Sequence, residues 1–103
     1  MHSDDADEVV FPPEVLERYL NRRMDDLANG RAALQKQDWK TLLTIGHQLR
    51  GTAASYGFPK FGEIGAVIEI EAGKGHPGII EEKLREFEGC LKKYALKTYS
   101  QPS

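Results

Sequence analysis

The sequence predicts an all-α protein, folded as an antiparallel, up-down four-helix bundle. Three observations point there. Apolar residues recur at three- and four-residue steps along nearly the whole chain from Pro12 onward. No segment alternates polar and apolar residues as a half-buried strand would, and Pro and Gly cut the chain into four pieces. Four pieces of ~15–23 residues joined by short loops pack as antiparallel neighbours.

The first helix is expected over residues 13–36. Pro12-Pro13 presets its start, because proline's fixed φ suits a first turn where its missing N–H is not needed. Leu16, Leu20, Leu27 and Leu34 follow, with Tyr19 and Met24 on the same side. Gly30 interrupts this pattern without a neighbouring Pro, so it weakens the helix rather than ending it. Asp38 is a natural cap for a second helix, over 38–57, and Gly57 is its stop. The stripe of that helix is Trp39, Leu42, Leu49, Ala53 and Tyr56. Pro59 opens a third helix, over 59–73, carrying Phe61, Ile64 and Ile68 and running out at Gly73 and Gly75. After His76-Pro77-Gly78 comes a fourth, over 77–97, with Ile80, Leu84, Phe87, Leu91 and Tyr94 on one side. Glu81 and Glu82 in its first turn and Lys92 and Lys93 near its last suit the helix dipole.

The chain has 103 residues, which is room for one small domain and a shallow core. A large enclosed active site does not fit in it. A formal charge of −2 and a pI near 5.9 argue against a nucleic-acid binder. No apolar run approaches the ~20 residues of a membrane helix, and no signal-peptide core opens the chain. One Cys excludes an internal disulfide framework. Together these features predict a cytoplasmic protein. Asp4, Asp5, Asp7 and Glu8 dominate residues 1–10, a stretch too polar to offset its own ordering. It is expected to be a disordered acidic tail or linker, with residues 11–103 as the single folded domain.

His47 is the residue that does not belong to the core. At 100° per residue it lies roughly 130° from the centre of its helix's apolar stripe, so it is expected to face solvent. Its helical neighbours are Lys40 and Leu43 before it, and Arg50, Gly51 and Ala54 after it. A mid-helix Gly costs ~1 kcal/mol relative to Ala, so Gly51 needs a reason. Either a partner approaches closely there or a helix packs closely. Arg50, one turn on, can set a guanidinium beside a group attached to the ring, and a phosphoryl group is the anion such a cation would stabilise. Exposure and periodicity alone leave open whether His47 is a nucleophile or an ordinary surface residue.

From His47 the chain reads His47-Gln48-Leu49-Arg50-Gly51-Thr52-Ala53-Ala54-Ser55-Tyr56-Gly57. This resembles the signature of histidine-containing phosphotransfer (HPt) domains: His, a Lys or Arg three residues on, Gly next, small residues, and a further Gly. Asp38-Trp39 upstream, and Phe61, Ile64, Ala66 and Ile68-Glu69 downstream, extend the likeness over roughly residues 13–97. The resemblance implies a phosphorelay intermediate without its own ATP site. A phosphoryl group from a receiver domain's aspartyl-phosphate would pass to Nε2 of His47 and on to the Asp of another receiver. It also implies Arg50 beside the phosphoryl group, Gly51 giving the partner clearance, and Glu69 accepting a hydrogen bond from Nδ1–H. Lys40, Leu43, Ala54 and Phe61 would meet the partner, with Leu43 and Phe61 at its dry centre. The partners would be response-regulator receivers and a hybrid sensor histidine kinase, with no nucleic acid and no membrane insertion. The chain would act as a monomer and hold no cofactor, since Mg²⁺ would belong to the receiver's acidic pocket.

Other readings compete. A histidine-kinase dimerisation domain would follow its His with an acidic residue and then a Pro, which Gln48 and Gly51-Thr52 do not match. The phosphotransfer domain of chemotaxis kinases shares the Gly57-Phe58 pair but often carries a second His where this chain has Ala66. A non-catalytic helical adaptor would use the same face without phosphate. Zinc held by His2, His47, His76 and Cys90 lacks the close ligand pairs of structural sites. Cys90 reads more simply as a small buried hydrophobe and His76 as a turn residue.

Overall fold

The structure, a computed structural model, describes residues 11–99. The acidic tail expected over residues 1–10 lies outside the described residues. Four helices follow one another: α1 (Pro13–Gln35), α2 (Trp39–Tyr56), α3 (Pro59–Lys74) and α4 (Pro77–Tyr99). Among the described residues there is no strand.

Local chemistry sets the boundaries. Pro13, Pro59 and Pro77 each stand first in a helix, where no backbone donor is required. At the start of α2, Asp38 accepts hydrogen bonds from the Thr41 amide (3.2 Å) and the Thr41 hydroxyl (2.6 Å). These bonds hold the Asp38 carboxyl below the usual carboxylate range. Gly57 (φ 82°) and Gly75 (φ 70°) close α2 and α3 in the left-handed region, where the absence of a Cβ removes the penalty. Closing α1 falls instead to Gln37, whose φ is 56°. The amides of Gln37 and Asp38 turn back to the carbonyls of Leu34 and Ala33 and complete that cap.

The helices run up, down, up, down around a square. α1 packs on α2 and α4, and α3 packs on the same two, with α2–α3 the most extensive pair. Registers run in opposite directions: Gly46 faces Gly65 and Glu69, and seven residues later Ala53 faces Gly62. On the other side of α2, Tyr19 stacks on Tyr56 and Arg23 donates to Thr52. Leu42, Leu49, Ile64, Ile68, Ile80, Leu84 and Phe87 fill the centre. Tyr19, Tyr56, Phe58, Phe61 and Tyr94 form an aromatic cluster at one end.

Two expectations need correction. Met24 is exposed (48%), and Arg23 takes the inner position instead. It does so because its guanidinium lies over the Tyr19 ring, donates to Thr52 and lies 2.8 Å from the Asp26 carboxylate, which offsets part of the cost of its burial. Phe61 is fully buried, stacked on Phe58 and edge-on to Phe87, so it cannot contribute to a partner surface. Gly30 leaves α1 unbroken, and a Cβ there would press on Leu84 at 3.1 Å, so it lets α4 approach. Cys90 is partly buried against the core.

Candidate functional site

The inner face of α2 is Leu42, Ile45, Gly46, Leu49 and Ala53. His47 follows Gly46 and is therefore turned outward, with its side chain 66% exposed. What lies under it is decided by the neighbouring helix. A Cβ added to Gly46 would sit 2.7 Å from the Glu69 amide nitrogen and 2.8 Å from the Gly65 carbonyl. One added to Gly65 would sit 2.7 Å from both the Arg50 amide nitrogen and the Gly46 carbonyl oxygen. The two backbones touch because neither residue has a side chain. This contact brings Glu69 of α3 alongside the α2 face that carries His47 and Arg50.

Glu69 then joins both. Its Oε2 lies 3.0 Å from His47 Nδ1, and its Oε1 accepts from Arg50 Nε at 2.9 Å. An ionised carboxylate only accepts, so the His47 contact requires the proton on Nδ1. Arg50 Nη2 lies 3.5 Å from the same Nδ1, too far to compete, and as a donor it cannot bond a nitrogen that already carries hydrogen. The hydrogen bond from His47, with Arg50 adding to it, holds the Glu69 carboxyl below the usual carboxylate range. With Nδ1 protonated, Nε2 carries the ring's lone pair on an exposed side chain. Arg50 stands on the Nδ1 side of the ring and is itself half exposed.

The remaining candidates divide. Lys40, Leu43 (36% exposed) and Ala54 lie at the surface of α2, whereas Phe61 is in the core. A Cβ at Gly51 would meet nothing within 4 Å among the described residues. Close helix packing therefore does not account for Gly51; it accounts for Gly46 and Gly65, which are not among the site residues expected from the sequence. Their signal was available, since each is a glycine in a helix interior. Ile70, next to Glu69, is a further apolar residue on the surface (56% exposed), outside the partner face expected from the sequence.

Among the described residues, no three or more His, Cys, Asp or Glu side chains are grouped so that they could hold a metal ion. No helix among the described residues is long and apolar enough to cross a membrane. Comparison with protein-family models matches residues 14–96 to the family described as "Hpt domain". Searches of curated proteins and of solved structures found nothing similar.

Proposed function

Because the chain belongs to the Hpt domain family, whose members carry phosphoryl groups in two-component phosphorelays, we propose that His47 is its phosphoacceptor, working through Nε2. One observation carries this reading: Nδ1 of an exposed histidine is tied to Glu69 at 3.0 Å, which leaves the nucleophilic lone pair on Nε2.

The Nε2 lone pair attacks the phosphorus of a receiver's aspartyl-phosphate. The Nε2–P bond forms, the acyl-phosphate P–O bond breaks, and the receiver's Asp leaves as carboxylate. The ring keeps its Nδ1 proton and gains positive charge, which the Glu69 carboxylate stabilises. Arg50, held to Glu69 through Nε on the Nδ1 side of the ring, has its two terminal nitrogens outside that bond and half exposed, and a swing of the guanidinium along the ring edge brings them to the phosphoryl oxygens. Transfer to a second receiver is the reverse sequence. Mg²⁺ is contributed by the receiver and no cofactor by this chain. Gly51 and Ala54 leave the receiver room, Leu43 and Ile70 offer it apolar contact, and Lys40 complements its acidic pocket. The chain functions as a cytoplasmic monomer between a hybrid sensor kinase and a response regulator.

The test is transfer from a panel of receiver domains charged with a small phosphoryl donor and Mg²⁺. Acid-labile label is expected on His47 and none in the His47→Gln protein. Receivers that bind both proteins equally and charge neither would overturn the proposal in favour of a helical adaptor.

A further inference from the structure

A second histidine repeats the geometry of the first. His76 sits between Gly75, which caps α3, and Pro77, which opens α4. Its Nδ1 lies 2.9 Å from Glu71 Oε1, and Lys74 Nζ lies 3.9 Å from the other oxygen of that carboxylate. An imidazole is thus held through Nδ1 by a glutamate of α3, and the same glutamate faces a cation. His47, Glu69 and Arg50 stand in the same relation. The anchor at His76 is the firmer one: the Glu71 side chain is only 12% exposed, against 25% for Glu69. The backbone adds to it, because the His76 amide donates to the Glu71 carbonyl at 3.0 Å, fixing both ends of the pair. The ring itself is 58% exposed. Around it are Gly73 and Gly78, where an added Cβ would meet nothing within 4 Å among the described residues. At Nε2 the ring presents an oriented lone pair; the Lys74 ammonium lies 3.9 Å from the carboxylate that holds the ring, and the Trp39 indole lies against the neighbouring Gly75.

We infer that His76 is a second phosphoryl acceptor, independent of His47 and open to small donors of the phosphoramidate class. The step balances without any other reactant. Nε2 attacks the phosphorus of the zwitterionic phosphoramidate monoanion, the donor's P–N bond breaks, and ammonia leaves. The new Nε2–P bond forms on a ring that keeps its Nδ1 proton, hydrogen-bonded to Glu71. Nothing in this step uses α2, so the role proposed for His47 stands or falls separately.

The experiment treats the full chain with phosphoramidate and locates acid-labile phosphoryl groups by peptide mass. In the His47→Gln protein, His76 is expected to be labelled, and faster than His2, the third histidine of the chain. Adding His76→Gln removes that label. Glu71→Ala is expected to slow labelling of His76 about fivefold, the effect of one hydrogen bond, and Glu71→Gln, which keeps an acceptor oxygen, to restore most of it. Labelling of His47 at an unchanged rate in both Glu71 variants reports an intact bundle. Nitrogen NMR of the neutral His76 ring should show the proton on Nδ1. An unlabelled His76, labelling no faster than at His2, or a proton on Nε2 would each overturn the inference.

Discussion

Gly46 and Gly65 are in backbone contact across the α2–α3 pair, so close that a Cβ on either would lie under 3 Å from the other's carbonyl oxygen. The residue after Gly46 is the exposed histidine, and four residues after Gly65 is the glutamate that holds it. The crossing is therefore what fixes the 3.0 Å distance between His47 Nδ1 and Glu69 Oε2. Helices standing a methyl group further apart would stretch that contact.

Gly65→Ala should separate the helices and loosen the site. An alanine in a helix interior is ordinarily favoured over glycine by ~1 kcal/mol. Here the obstacles are backbone atoms, which cannot rotate away, so overpacking outweighs that gain and a net loss of about 1–3 kcal/mol is expected. Urea unfolding measures the loss. Transfer to His47 should fall even at temperatures where the variant is fully folded, because the Glu69 contact is stretched.

Gly51 should respond with the opposite sign. It lies in the same helix but faces open space, so Gly51→Ala should stabilise the bundle by up to ~1 kcal/mol through helix propensity alone. Gly51→Leu should fold equally well and yet transfer slowly from a receiver, because the added side chain stands in the partner's path. Phosphoramidate, being small, should still label His47 in that variant. Equal receiver rates for Gly51→Leu and wild type would show that the position is not covered in the complex.

The difference between these glycines explains what could and could not be read from the sequence. Helix ends follow from residues adjacent in the chain, so Asp38, Gly57, Pro59 and Gly75 marked them correctly. The core stripe of α3 was equally legible, and Phe61 belonged to it; placing Phe61 on a partner surface contradicted its own phase with Ile64 and Ile68. Met24 was misplaced because a long cation with an aromatic and a carboxylate partner can occupy an inner position that periodicity assigns to apolar residues. The contact of Glu69 with His47 depends on how two helices are registered against each other. No spacing within either helix contains that information. Glycines in the middle of both were the available clue.

Arg50→Ala should slow phosphotransfer while leaving the bundle folded. Arg50 lies off the buried stripe and is half exposed, so stability should change by less than about 1 kcal/mol. Losing a charge-assisted hydrogen bond to the phosphoryl group should reduce the transfer rate about tenfold. Arg50→Lys should recover part of the rate, since it keeps the charge without the fork that reaches both Glu69 and the phosphoryl oxygens. Rapid-quench transfer from a charged receiver measures both variants, and unchanged rates would remove Arg50 from the mechanism.

The Glu69 anchor should show itself in the pH dependence of stability. Its carboxyl is held below the ordinary value of 4.5, first by the hydrogen bond from His47 and then by Arg50. A depressed carboxylate contributes stability in full above its unfolded value and loses it as pH falls through its lower folded value. Wild type should therefore exceed Glu69→Gln in urea midpoint by a constant margin near neutrality. That margin should shrink once pH drops below 4.5, as the unfolded chain takes up the proton before the folded one does. Titrating groups out of contact with Glu69 are common to the two proteins and cancel, so the acid-side change in the margin reports this carboxyl together with the His47 and Arg50 it holds. A margin that stays level through the acid range would mean that Glu69 is not ionically tied to His47 and Arg50 in solution.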